Sequence, residues 1–270
     1  MPNRNTSARA LIAVLLAGVV VNIAAAGARE ESLLLTATEV LQEVKAMPDV
    51  RLPDTLLAHA YGIAVIPDVG KFAFIFGGRH GTGVLAVRDK LTSPWSNPAF
   101  VSLSGGSWGF QAGVQYSDII LVFTTKRGIE GIAGGKLTLG ADASVAAGPV
   151  GRQGSAATDV SLAEIYSYAR TRGLFGGIAL DGTVISISRK SNAALYNKSD
   201  VTATEIFSGQ APTPPSTAQR FLDELAKATG TAVRASPAPQ AEVSAAQTPA
   251  SVPPSAQPAR TYPLEEQKRQ

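Results

Sequence analysis

Ser107 stands in Gly105-Gly106-Ser107-Trp108-Gly109, the G-x-S-x-G frame of a nucleophile elbow. In that elbow a strand precedes the serine, a helix follows it, and a later histidine takes its proton. Here Phe110-Gln111-Ala112-Gly113-Val114-Gln115-Tyr116 reads as strand, and the two histidines, His59 and His80, both precede Ser107. The order Ser…Asp…His cannot be met, and nothing supports another triad order. Gly134-Gly135-Lys136 fails as a phosphate loop: Leu137 stands where Ser or Thr belongs, and Glu130 where the first glycine should be. His59 falls in a short helix and His80 in the turn Gly78-Arg79-His80-Gly81, neither with carboxylates at ligand spacing, which makes a poor metal site. Asp142 and Asp159 flank a Gly-Pro segment, where turn and capping roles account for them. The chain reads as non-catalytic, with no cofactor and no metal.

The elements carrying these residues fall into four regions. Residues 1–28 read as a secretory signal: Arg4 and Arg9 precede the apolar run Ala10 to Val21, and Ala24-Ala25-Ala26-Gly27-Ala28 offers small-residue cleavage sites. The run is broken by Gly18 and Asn22 and falls short of the ~20 apolar residues of a spanning helix. There is no cysteine, hence no lipobox, and a core large enough to do without disulfides is compatible with export. Setting aside Arg4 and Arg9 leaves 22 basic and 21 acidic residues, which is no nucleic-acid footprint.

Residues 29–60 read as helical. Leu33, Ala37, Val40, Leu41 and Val44 share one face, Met47-Pro48-Asp49 interrupts, and Pro53 opens a second short helix through Ala60. The acidic polar face (Glu30, Glu31, Glu39, Glu43) suits packing on the next region better than lying on a membrane. From 61 to 208 the chain is β-rich. Short apolar runs separated by Gly-Gly and Gly-x-Gly steps read as strands joined by tight turns, near 62–66, 72–76, 84–88, 99–103, 109–115, 119–124, 137–139, 143–147, 164–169, 178–180 and 184–188. Short connections favour antiparallel pairing, and internal glycines such as Gly109, Gly113, Gly176 and Gly177 favour strong curvature. The expected class is α+β, with N-terminal helices packed on a strongly curled, mainly antiparallel, glycine-rich sheet or small barrel. Residues 209–270 form a Pro/Ala-rich tail, expected to be mostly disordered. One helix interrupts it: Ser216-Thr217-Ala218-Gln219 has a capping-box pattern, Phe221, Leu222 and Leu225 make an apolar face, and Gly230 ends it.

Several segments, in collinear order, resemble the SYLF domain. They are Ala60-Tyr61-Gly62-Ile63-Ala64-Val65-Ile66-Pro67, Gly77-Gly78-Arg79-His80-Gly81-Thr82-Gly83-Val84-Leu85, Trp95-Ser96-Asn97-Pro98-Ala99-Phe100, the run from Gly140 to Arg152, and the run from Tyr166 to Gly177. The likeness extends from about Leu33 to Tyr196 and departs at Phe72-Ala73, where the family tends to have glycine. The resemblance implies a non-catalytic lipid-binding domain over 29–208. Eukaryotic members bind phosphoinositide membranes, a yeast member's domain is described as actin-binding, and bacterial members commonly carry export signals. For an exported bacterial member the resemblance implies affinity for anionic phospholipid head groups, in the periplasm or at the cell envelope. A structural or adaptor protein is the alternative, binding a protein partner, or an actin-like filament by family analogy, through the sheet surface and the proline-rich tail.

A head-group site wants arginine or lysine beside exposed backbone amides, because the guanidinium fork gives phosphate two parallel hydrogen bonds. Four places fit: Lys71 with Arg79, Arg152 after Gly148-Pro149-Val150-Gly151, Arg170 with Arg172 before Gly173, and Lys126-Arg127. Arg152 and Arg172 lie inside the strongest family matches. For each cation, a solvated surface charge or a structural ion pair stands as the alternative.

Overall fold

In this computed structural model the described residues are 27–47, 52–73, 76–108, 113–150, 163–171 and 174–231. Helix α1 (residues 27–46) and the short α2 (Asp54–Ala58) precede the strands. Four long strands follow, β1 (Gly62–Ala73), β2 (Phe76–Val87), β3 (Ala99–Trp108) and β4 (Gly113–Phe123). Then come α3 (Lys126–Ala133), β5 (Lys136–Thr138), β6 (Val145–Ala147), β7 (Ile165–Thr171), β8 (Leu174–Gly177) and β9 (Val184–Ile187). Helices α4 (Arg189–Tyr196), α5 (Ala203–Ser208) and α6 (Ser216–Thr229) close the sequence of elements.

The strands form one curled sheet in the order β5-β9-β3-β2-β1-β4-β7-β6, with β8 on β7. Each of these pairs is antiparallel apart from β6 with β7. The expected class, α+β with a strongly curled and mainly antiparallel sheet, is borne out as a half-barrel. The strands are longer and fewer than the glycine pattern suggests. Gly77, Gly78, Gly81 and Gly83 lie inside β2 rather than in turns; the expected 62–66 strand falls within β1, and of the expected 72–76 strand residues 72 and 73 end β1, residue 76 opens β2, and 74–75 lie outside the described residues. Residues 178–180 lie outside the strands.

Each long strand is buried on both faces over half its length. Ile63 and Val65 of β1 enter a core shared with Leu34, Val40 and Val44 of α1, with Leu56 of α2 and with Phe221 and Leu225 of α6. Their neighbours Ala64 and Ile66 enter a second core on the concave side, with Leu121 and Phe123 of β4, Ile129 and Ile132 of α3, and Ile185 of β9. Double burial explains why these stretches read as continuous apolar runs. The curl starts from a bulge in β1, where Pro67 has no N–H to donate and Asp68 adopts a left-handed φ of 49°. The Asp68 N–H donates to Asp118 Oδ1 of β4 at 3.0 Å. Facing the bulge is Gly83, where an added Cβ would fall 2.5 Å from Ile66 Cα. Only glycine permits that approach of two backbones.

Two polar devices lock the helices to the sheet. Arg88, at the end of β2, donates to the carbonyls of Ala60 (2.6 Å), Leu57 (3.1 Å), Ala58 (2.9 Å) and Leu91 (2.7 Å), so it caps the C-terminal end of α2. Its guanidinium lies 4.7 Å from the centre of the Trp95 ring, and Trp95 Nε1 donates to Thr229 and Thr231 beyond it. Asn192 of α4 accepts from the Phe100 N–H at 2.7 Å and donates to its carbonyl at 3.2 Å, completing β3 where its pairing with β9 begins.

Helix α6, expected within the tail, is therefore part of the core: Ala218, Phe221, Leu222, Leu225 and Ala226 are all buried. The capping box expected at Ser216 does not form, because Ser216 is already helical and Pro215 is the N-cap, without a side-chain bond. A capping box closes α5 instead, between Thr202 and Glu205.

Candidate functional site

The residues with apparent catalytic spacing have local roles. Ser107 lies within β3, opposite Gly77, and the strand continues through Trp108. Gly134-Gly135-Lys136 joins the end of α3 to β5, the reverse of the strand–loop–helix order of a phosphate loop. His59 Nδ1 is 2.7 Å from the Thr55 carbonyl of its own helix. Asp142 Oδ2 accepts from the Thr138 N–H at 2.7 Å, a turn role, and that bond holds its carboxyl below the usual range. Asp159 lies outside the described residues.

The candidate cations separate to different parts of the sheet. Arg152 and Arg172 lie outside the described residues. Arg170, on β7, pairs with Glu43 of α1 and with Asp118 of β4, its Nε donating to Asp118 Oδ2 at 2.8 Å. It ties α1 to the sheet. Lys126 and Arg127 open α3 at the end of the sheet where β4 stops. Lys126 bonds Asp89, which pushes the lysine up and holds the carboxyl below its usual range, and lies 5.7 Å from the Tyr61 ring centre. Arg127 is 3.9 Å from Glu164. Beside Lys126 a groove of about 430 Å³ opens between α3 and α5, lined by Val87, Ile129, Ala133 and Phe207.

Lys71 and Arg79 differ from these. They are direct cross-strand partners on β1 and β2, close to the end of the sheet where the β1–β2 hairpin closes and where β3 ends and β4 begins. Among the described residues neither has an ion pair, and Arg79 Nε is buried without a hydrogen-bond partner. Partial burial lowers the Arg79 pKa, yet arginine stays charged at neutral pH.

Three rows cross the sheet here. Nearest the hairpin turns, Val114, Phe72, Gly78 and Gly106 align across β4, β1, β2 and β3. The next row is Gln115, Lys71, Arg79 and Gly105, and the third Tyr116, Gly70, His80 and Ser104. Side chains alternate between faces along a strand. Phe72, Val114 and Tyr116 therefore share one face, and Lys71 and Arg79 project from the other.

That apolar face is uncovered. Phe72 is 52% exposed, Val114 58% and Tyr116 58%. The Phe72 and Tyr116 rings meet edge to face, 6.4 Å between centres. Gly78 and Gly106 continue the first row without side chains. Leu174, at the start of β8, is also exposed, at 78%. The Asp118–Arg170–Glu43 cluster lies one step further in along β4, on the same face, and marks where α1 begins to cover the sheet. Sequence reading had one pointer to this patch, the departure from the SYLF pattern at Phe72, but none to Val114 or Tyr116.

Residues 104–228 match the family model described as Ysc84, Las17-binding protein actin regulator. An SH3 domain-containing protein of Schizosaccharomyces pombe is 38% identical over 168 residues, 60% of this chain and 38% of that protein. SH3 domain-containing YSC84-like protein 1 of Xenopus laevis is 34% identical over 183 residues, 66% of this chain and 54% of its own length. LAS seventeen-binding protein 3 of Saccharomyces cerevisiae is 33% identical over 171 residues, 62% of this chain and 37% of its own. The chain thus spans between about a third and just over half of these relatives. The SYLF resemblance read from the sequence is borne out.

Proposed function

We propose that this chain, which carries a Ysc84/SYLF domain, is a non-catalytic binding protein that docks the hairpin end of its sheet on an anionic phospholipid surface. The observation that carries this reading is the Lys71–Arg79 pair, adjacent, half-buried and without a carboxylate partner among the described residues. Basic residues near an anionic leaflet contribute about 1 kcal/mol each, and the attraction decays within a Debye length. The signal-like residues 1–28 add the proposal that this surface belongs to the cell envelope of a bacterium.

Co-sedimentation with vesicles of graded phosphatidylglycerol content, at low and moderate salt, tests it. Binding should rise with the anionic fraction and fall with salt. Lys71→Gln combined with Arg79→Gln should weaken binding roughly thirtyfold, while Lys126→Gln with Arg127→Gln should leave it within about twofold, since both already face carboxylates. Equal loss from both pairs would show a diffuse charge effect and remove the site.

A second reading is a structural or adaptor protein that holds a protein partner through its sheet surface and proline-rich tail; the names of the relatives favour the protein partner. Pro212-Thr213-Pro214-Pro215 and Pro253-Pro254 are its candidate motifs. Truncation after Thr231 separates the two readings, because it spares α6. Vesicle binding should survive that truncation, and loss of vesicle binding would transfer the function to the tail.

A further inference from the structure

The three rows at the hairpin end form a graded series. Phe72 and Val114 lie nearest the turns, Lys71 and Arg79 one residue further in, and Tyr116 one residue beyond them. At a rise of about 3.4 Å per residue, the series from apolar side chain through cation to phenol spans roughly 7 Å. That is the order met from the bilayer interior outward: acyl chain, phosphate, then the outer interface where an amphipathic tyrosine sits.

We infer that Phe72 and Val114 insert into the acyl region of the bilayer, the end of the sheet entering edge-on with Lys71 and Arg79 at phosphate level and Tyr116 at the outer interface. The inference rests on the head-group reading given above and adds the mode of attachment. The placement of charge selects a bilayer over a protein partner or a second copy. A protein docked flat on the apolar face would leave Lys71 and Arg79 behind it, on the opposite face. Head groups surround an inserted ribbon on both faces and reach the apolar side chains and the cations together. Among the described residues two carboxylates stand near this end: Asp118, bonded to Arg170 and to the Asp68 N–H, and Asp68 itself, exposed at the bulge three residues in from Lys71. Gly78 and Gly106, bare beside Phe72, let the first row approach lipid without further bulk; nothing lies within 4 Å of where a Gly106 Cβ would be.

The chain has no cysteine, so a single thiol can be labelled cleanly. Val114→Cys, carrying a polarity-sensitive nitrobenzoxadiazole dye, is mixed with vesicles of equal parts phosphatidylglycerol and phosphatidylcholine. The exposed Lys190, on α4, serves as a control in Lys190→Cys. The dye at 114 should shift to the blue, brighten severalfold and be quenched by lipids brominated on the acyl chain, and the dye at 190 should do none of these. Phe72→Ser with Tyr116→Ser should lower partitioning roughly tenfold at moderate salt while leaving the thermal midpoint unchanged.

The outcomes separate the mode from the function. Salt-sensitive sedimentation with a dye at 114 that stays wet would overturn insertion and leave the head-group reading standing. Absence of sedimentation with any anionic vesicle would overturn both. A blue shift at 114 without vesicles, growing with protein concentration, would assign the patch to a second copy and overturn insertion.

Discussion

Along β1, Ile63, Ala64, Val65 and Ile66 are all buried, whereas six residues beyond Ile66 the ring of Phe72 is more than half exposed. The same contrast runs down β4, from buried Leu121, Val122 and Phe123 to exposed Tyr116 and Val114. At the helix end the sheet is a partition between two cores. At the hairpin end the strands outrun α1, leaving Phe72, Val114 and Tyr116 exposed and Lys71 and Arg79 without an ion pair among the described residues. Hydrophobic side chains left uncovered in a contiguous group mark interaction surfaces more often than they serve stability. One set of four strands thus supplies both the stability and the surface the protein has to offer.

The contrast can be broken most forcefully with the phenylalanines. Phe123→Ala should cost about 3–5 kcal/mol by urea unfolding, through lost burial and the cavity left behind. Phe72→Ala should stay within about 0.5 kcal/mol. Comparable losses at both positions would mean that the hairpin end is packed in solution.

The glycines sharpen the comparison at a smaller scale. Gly83→Ala should cost about 1–3 kcal/mol, since its Cβ meets the β1 backbone and cannot displace it cheaply. Gly106→Ala has open space and should change stability by less than about 0.5 kcal/mol. The thermal midpoints of the two variants are the measurement. A stabilised Gly83→Ala would remove the close strand approach from the account of the curl.

A smaller loss than at Phe123 or Gly83 is expected at the border between the regions. Arg170→Gln removes the cation that joins Glu43 of α1 to Asp118 of β4, and should cost about 1–2 kcal/mol, because the cluster is partly exposed. If α1 is held there, its amides should also gain hydrogen exchange towards residue 46 before the sheet does. Uniform protection would show that α1 is fixed by its apolar face alone.

Much of the fold was legible in the chain. The apolar stripe of Leu33, Ala37, Val40, Leu41 and Val44 marked α1, the glycine-separated apolar runs marked a curled antiparallel sheet, and collinear motifs marked the SYLF family. Strand ends were less legible. Gly77-Gly78 reads locally as a turn, yet cross-strand pairing to Lys71, Phe72 and Ala73 holds it extended. The helix at Ser216 was visible, but its place in the core depends on Trp95, 134 residues from Thr229.

What the sequence by itself determined is the kind of fold: a glycine-rich α+β domain whose cations stand beside turns and strand ends. Only the tertiary structure decided which cations are free. Lys126 finds Asp89, and Arg170 finds Asp118 and Glu43, across 37, 52 and 127 residues of chain. Lys71 and Arg79 find each other. The Arg170–Asp118 and Lys71–Arg79 pairings follow strand register, and a slip of one residue would send each side chain to the opposite face. No local pattern encodes that, because the charge itself carries no mark of what will stand opposite it.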